Sequence, residues 1–350
     1  MAEAKRELAI ATDPTAYDNI GGAAIAVKYD TANDYIGNAG SHGTVFQTIR
    51  VTSFQQNANR EVIIEESIDQ VAASAVYGGT YSASGSFEAG FRPQSFQSSN
   101  LLMGIMGLQT VTSNNYKLSQ IPATLALKVV DEQASTASIK GTTVIYRGVG
   151  ITSFELNLNV KEYARCTINW IARQAEVYDV FYNSNTAISD EIAVFYNAVL
   201  NFGANKLLCK GMTLTLNRQM DQDYFYIGSE FLQGLYYNGL TDLGGTITLG
   251  AGDWTRIRTM IAGSGTDAML DVGKTEFTGN TANAIPEGKL EVILMSTDGT
   301  TQVAKITVDS CKLTEASSSV QGRNQFEKTV NWKAVLNPAA SKDFTVHIGA

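Results

Sequence analysis

Charge is scarce in this sequence. Asp, Glu, Lys and Arg make up 17% of its 350 residues, where soluble domains average about 25%. With 44% hydrophobic residues, the chain either buries much of its surface against partners or wears a Ser/Thr/Asn/Gln-rich exterior. Composition leaves both open. Acids outnumber bases by 34 to 26, giving a net charge of −8 with neutral histidines. That balance, with no basic run, excludes a protein that grips nucleic acid through its phosphates. It does not exclude a surface that nucleic acid slides past.

Cysteine is nearly absent. Cys166, Cys209 and Cys311 are an odd number without C-x-x-C spacing, which argues against a disulfide framework and for folding in a reducing compartment. Each reads first as a small buried hydrophobe. No run of about 18 apolar residues occurs, so no transmembrane helix is expected. The start, MAEAKRELAIATD, lacks the apolar core of a signal peptide. The expectation is a protein made in the cytoplasm, not exported by the usual route, with no membrane partner.

The groups that carry chemistry are missing too. There are two histidines, His42 and His347, near opposite ends. No HExxH, EF-hand loop, GxSxG elbow, P-loop or GxGxxG is present. His42 in GSHGT reads as a solvent-facing turn residue. Asp221 and Asp223 in MDQDY could form a carboxylate pair for acid–base work, but read more plainly as a solvated edge or a subunit contact. Asp267 and Asp271, beside a Gly-rich loop, carry the same plain reading. No catalytic residue, metal site or cofactor is predicted, and the chain is expected not to be an enzyme.

What is present is alternation. Glycine is abundant (31) and proline rare (5). In VYGGTYSASGSFEAGFRP, 76–93, residues Tyr81, Ala83, Gly85, Phe87 and Ala89 share one strand face, and Thr80, Ser82, Ser84, Ser86 and Glu88 the other. Segments 124–130, 155–160 and 165–173 alternate likewise, the last placing Cys166, Ile168, Trp170 and Ala172 inward. These predict half-buried antiparallel strands. Two helices are predicted: SFQSSNLLMGIMG after Pro93, with Gly107 as its C-cap, and DWTRIRTMIAG, 253–263, capped by Asp253.

The second half echoes the first. With 76–93 set against 236–252, Gly85 meets Gly245, and Ala83, Phe87 and Ala89 meet Leu243, Ile247 and Leu249. Pro122 and Pro286 each follow an Ile. GITSFELN (150–157) faces VDSCKLT (308–314), matching Ser153 to Ser310 and Leu156 to Leu313. TINWIA (167–172) faces TVNWKAV (329–335), pairing Trp170 with Trp332. FQQNANRE (54–61) faces LTLNRQMD (214–221). These correspondences read as a tandem duplication. The predicted fold is mainly β (α+β): two tandem β-sandwich or split-barrel domains, each with one short helix. The boundaries are an N-terminal arm at 1–45, a first domain at 46–182 and a second at 183–350. SSSVQGRNQ (317–325) is expected to be a hairpin tip, mobile until something docks on it. What repeats is strand geometry without a polar constellation, which suits a protein that assembles.

The stretch Tyr81 to Glu88, then Arg92-Pro93, Leu101-Leu102 and Met106-Gly107, followed by ITSFELNLNV…CTINWIA, resembles the tail tube proteins of long-tailed bacteriophages and related viruses. MTLTLNRQ resembles the opening of the second half in duplicated members. The second half lacks the Arg-Pro. The resemblance covers about residues 46–345. It implies a virion tail protein: the major tail tube subunit, whose copies join edge to edge into stacked rings around a hollow bore for genome delivery. It implies the chain itself as partner, with tape measure, tail terminator and baseplate proteins beyond it, and viral DNA passing through without specific binding. Single-domain proteins of this type form sixfold rings, so two fused domains predict a trimeric ring with pseudo-sixfold symmetry; a hexamer of two-domain chains is the alternative. Ser82, Ser84, Ser86 and Glu88, with Asp242, Thr246 and Thr248, are the residues predicted to face the lumen. A non-viral β-rich tube or surface-layer protein is the competing reading. A carbohydrate-active enzyme, suggested by the 15 tyrosines, is the third.

Overall fold

A computed structural model describes residues 23–29, 46–65, 75–107, 114–133, 140–178, 185–186, 191–203, 205–221, 223, 225, 227, 230–232, 235–249, 287–319, 327–337 and 342–349. The alternation at 76–93 becomes alternation of burial along one strand. Ala83, Phe87 and Ala89 are buried, Ser82 and Glu88 are exposed, and Ser84 and Ser86 are half-buried.

In chain order the first half comprises β1 (Ala23–Tyr29), β2 (Phe46–Ile49), β3 (Val51–Glu65), β4 (Ala75–Gly90), helices α1 (Pro93–Ser98) and α2 (Leu101–Met106), then β5 (Asn115–Lys117), β6 (Leu125–Gln133), β7 (Lys140–Asn159), β8 (Arg165–Tyr178) and the short β9 (Asn185–Thr186). Hydrogen-bonded neighbours run β3-β4-β8-β7-β6-β1-β2, all antiparallel. β1, within the span read as an arm, pairs along its length with β6. Cys166, Ile168, Trp170 and Ala172 all point into the core, as their spacing predicts.

The second half comprises β10 (Ala198–Phe202), β11 (Asn205–Leu207), β12 (Cys209–Asn217), β13 (Asp242–Leu249), β14 (Glu287–Met295), β15 (Gln302–Ser319), β16 (Glu327–Ala334) and β17 (Phe344–Ile348). Its order is β12-β13-β16-β15-β14-β10-β11. Fine detail recurs. Gly85 lies opposite Trp170, and Gly245 opposite Trp332. β7 bulges between Ile151 and Ser153 where it faces that tryptophan, and β15 bulges between Leu313 and Glu315. The 317–325 hairpin pairs up to Ser319 and Glu327; its tip lies outside the described residues.

Sheet register differs from the match made by identity. Opposite their glycines stand Gln56 and Leu214, so β3 slides two residues from the pairing of Phe54 with Leu214. A slip of two preserves the faces of a strand, so alternation is blind to it. Likewise Ile151 and Leu313 hold matching places opposite the tryptophans, five residues from the match of Leu156 with Leu313. The bulges carry an extra residue that residue identity does not reveal.

The helix after Pro93 is split. Asn100 takes the left-handed conformation at φ 59°, ending α1 and starting α2, and Gly107 caps α2 at φ 91°. Asn tolerates that region, and the break lets Phe96, Leu101, Leu102, Ile105 and Met106 all bury. The second predicted helix, 253–263, lies outside the described residues.

The halves join through the sheet. β7 pairs with β12 from Ser153 opposite Asn217 to Asn159 opposite Gly211, and β17 pairs with β5. One apolar core crosses this seam, including Trp170, Leu156, Leu214, Leu216 and Trp332. Beside it the buried Arg218 guanidinium donates to the carbonyls of Ile105, at 2.9 Å, and Ser119, with the Tyr237 ring 3.9 Å away.

Candidate lumen wall

Eight strands, β3-β4-β8-β7-β12-β13-β16-β15, form one unbroken run across both halves. One face of the run is the apolar core and the other is polar. Register sets the polar residues in rows. One row reads Gln55, Ser86, Asn169, Ser153, Asn217, Asp242. The next reads Ser53, Glu88, Thr167, Glu155, Thr215, Gly244, Lys333, Lys312. A third holds Arg165, Asn157, Thr213, Thr246, Asn331 and Glu315.

Side chains tie the rows together. Asn169 Nδ2 donates to Ser153 Oγ at 2.6 Å, and Asn157 Nδ2 to Glu155 Oε1 at 2.6 Å. Thr213 Oγ1 donates to Asn157 Oδ1 across the internal seam at 2.9 Å. Lys333 Nζ stands 3.1 Å from Asp242 Oδ1. These contacts bind short side chains to one another within and across neighbouring strands.

The sequence-predicted residues all fall on this face, with one qualification of place. Glu88 and Asp242 are exposed, and Ser86, Thr246 and Thr248 are half-buried. Ser84 shares its row with Ile171, which is buried with Met220, Leu232 and Leu235. A second-half segment therefore covers that end of the face, and Tyr81 N–H donates to the Glu230 carbonyl of the same segment at 2.8 Å. The sequence reading missed Ser153, Glu155, Asn157, Asn169, Thr213, Thr215 and Asn217. Their signal was the polar half of the alternation in β7, β8 and β12. The wall also gains bases absent from 76–89: Arg165, whose guanidinium lies 5.2 Å over the Tyr163 ring, with Lys312 and Lys333. It carries both signs.

The remaining candidates are structurally occupied. Asp221 accepts from the Asp223 backbone N–H at 3.0 Å, a turn rather than an acid–base pair. His347 Nδ1 lies 2.9 Å from Asn115 Oδ1 where β17 meets β5. Cys166 and Cys311 are buried, and burial pushes their thiols up, Cys311 to about 12. Tyr237 packs on Arg218. His42, Asp267 and Asp271 lie outside the described residues.

A second surface stands apart from the wall. At the far end of the β3–β4 hairpin, Val62, Ile63, Ile64, Val76 and Tyr77 are 54–64% exposed. Exposed apolar residues grouped this way mark an interaction surface.

No curated protein matches the chain. Among solved structures, the sheath/tube terminator of an extracellular contractile injection system, PVC, in its extended state, is 14% identical over 40% of this chain and 91% of that one, with a TM-score of 0.28. The tube-terminating cap of the anti-feeding prophage is 10% identical over 48% of this chain and 99% of that one, with a TM-score of 0.32. The model of the phage tail tube protein family matches residues 6–334, nearly the whole sequence. The chain belongs to the phage tail tube protein family and is a structural protein of the virion tail.

Proposed function

We propose that the chain is the major tail tube subunit, and that three copies close a ring whose stacking builds the bore for genome delivery. The carrying observation is the internal seam: β7 and β12 join two halves of like strand order, so one polar face runs on from the first half into the second. The halves, 46–182 and 183–350, are tandem copies of one tube domain on this reading. A chain then supplies two of six equivalent positions.

The polar face, including Ser86, Glu88, Asp242, Thr246 and Thr248, lines the bore. Duplex DNA slides past such a wall because its two lysines and one arginine are set among carboxylates and amides, without the cluster of bases that phosphate binding needs. The exposed apolar stretch of the β3–β4 hairpin at Val62, Ile63 and Ile64 is the stacking contact to the next ring. Tape measure, terminator and baseplate proteins are the partners at the bore and the tube ends.

Electron microscopy of the overexpressed protein tests this. Uniform tubes with three chains per ring are expected. Six chains per ring would overturn the trimer, and a monodisperse monomer under all assembly conditions would overturn the tube subunit itself.

A further inference from the structure

The internal seam points to what covers two strand edges that have no second strand partner among the described residues. Resting on the tube reading above, we propose that the outer edge of β3 in one copy pairs antiparallel with the outer edge of β15 in the next. The register sets Gln55 to Asn59 against Ser319 to Glu315.

Among the described residues, β3 pairs with β4 alone. The Glu315–Ser319 stretch of β15 pairs with β16 alone. Each open edge has a closed counterpart within the same chain. β12 stands beside β13 as β3 stands beside β4, with Leu214 and Gln56 opposite the two glycines. β7 stands beside β8 as β15 stands beside β16, with Ile151 and Leu313 opposite the two tryptophans and a bulge next in line. The outer edges of β12 and β7 pair with each other.

Carrying that register across fixes the seam between copies. Thr215 opposite Glu155 becomes Asn57 opposite Ser317, and Leu216 opposite Phe154 becomes Ala58 opposite Ala316. The two edges belong to different strands, so copies add head to tail, and rotation closes the ring.

The chemistry of the edges suits assembly from a soluble subunit. The core side of the internal seam carries Leu156, Leu214 and Leu216, all buried. At the matching places the open edges carry Ser318, Gln56 and Ala58. Backbone hydrogen bonds rather than apolar contact hold the seam between copies, and a polar edge stands in water without inviting random pairing.

Cysteine pairs test the register in assembled tubes. Asn57→Cys with Ser317→Cys, and Ala58→Cys with Ala316→Cys, sit directly opposed, one in each of the two alternating pair geometries. Oxidation with diamide is expected to link chains through at least one pair into a covalent ladder that ends at the closed ring. Asn57→Cys with Glu315→Cys is diagonal, about 7–8 Å apart, too far for a disulfide, and is expected not to link. The single-cysteine variants control for the three native thiols. Hydrogen exchange on the wild-type protein needs no variant: amides at 55–59 and 315–319 should slow by about tenfold or more on assembly. Tubes that form without cross-links or added protection there, or that link only the diagonal pair, overturn this seam and leave the tube reading standing. Failure of the wild-type protein to form rings or tubes overturns both.

Discussion

Gly85 lies directly across the sheet from Trp170, and a β-carbon on that glycine would stand 2.5 Å from Cζ2 of the indole and collide with the Gln55 carbonyl. The glycine is the floor on which the ring lies, with Phe54 stacked 6.3 Å away and Tyr146 at 4.7 Å. Gly85→Ala is expected to lower the stability of the unassembled protein by about 2–3 kcal/mol. Gly245→Ala, which would run into the Thr213 carbonyl beneath Trp332, should do the same. Gly203, at φ 60° with nothing near its missing β-carbon, is the control; Gly203→Asn should cost about 0.5 kcal/mol or less. Urea titration measures all three.

That glycine–tryptophan pair also shows how far the sequence could be read. Alternation at 76–93 and 165–173 gave the strands and their inward faces, because a half-buried strand must alternate. Asn-Trp near the end of each half set Trp170 against Trp332 at places the sheet treats alike. Register was not legible. Gln56 rather than Phe54 holds the place of Leu214, and no pattern of period two distinguishes a slip of two residues. The wall was half legible: Ser86 and Thr246 came from their own strands, whereas Asn169, Ser153 and Asn217 join them only through pairing between distant segments. The cover over Ile171 could not be read, since Met220, Leu232 and Leu235 arrive from a segment without regular alternation.

Arg218 fastens α2 to the second half. Its guanidinium donates to the carbonyls of Ile105 and Ser119 and lies on Tyr237, while burial pulls its pKa down. Arg218→Ala removes both donors and leaves two carbonyls without them. A loss of about 3 kcal/mol is expected, because the partners of a buried charge stay buried when it goes. Arg218→Lys should recover only part, since an ammonium reproduces neither the fork nor the stacking. Thermal melts of the unassembled chain give the order wild type, then Lys, then Ala.

Lys128 in β6 is buried, and desolvation lowers its pKa from 10.5 to about 8. Between those two values the unfolded chain holds the extra proton, so this group adds stability as pH rises from about 8 to 10.5 and contributes a flat penalty below about 8. Cys311, Tyr146 and Tyr237, each pushed up to about 12 by burial, slope the opposite way above pH 9–10. Only the difference between wild type and Lys128→Met isolates the lysine. The variant is expected to be more stable at pH 7, by on the order of 3 kcal/mol at most, with the gap closing toward pH 10. A gap independent of pH would mean that Lys128 is held without a penalty on its charge.

On the proposed tube, a substitution in the exposed apolar stretch of the β3–β4 hairpin separates ring closure from stacking. Ile63 is 54% exposed and pairs with Tyr77, in the part of the hairpin that extends past the last match of β4 with β8 at Ala83. Ile63→Lys removes apolar area without touching the core, so folding should be unchanged within about 0.5 kcal/mol. Rings are expected to form and tubes to fail, visible as discs by negative stain and as loss of fast-sedimenting material. Full-length tubes from this variant would remove this stretch from the stacking contact.

The wall prediction turns on charge alone. Ser86 and Thr246 stand on the polar face in different halves and are half-buried, with short side chains. Lysine at either place leaves the strand intact, since its long stem reaches out of the sheet to water. On the proposed trimeric ring, three chains carrying Ser86→Lys and Thr246→Lys would add six positive charges, repeated along the bore by stacking. Each phosphate neutralised releases condensed counterions, so binding to duplex DNA should appear and should fall steeply as salt rises. Virions with the double variant are expected to eject their genomes more slowly at low salt and to recover at high salt. The isosteric control, Ser86→Met with Thr246→Met, should eject at the wild-type rate at both. Equal slowing by Lys and Met would assign the defect to a narrowed bore. Unchanged ejection with Lys would place this face outside the channel.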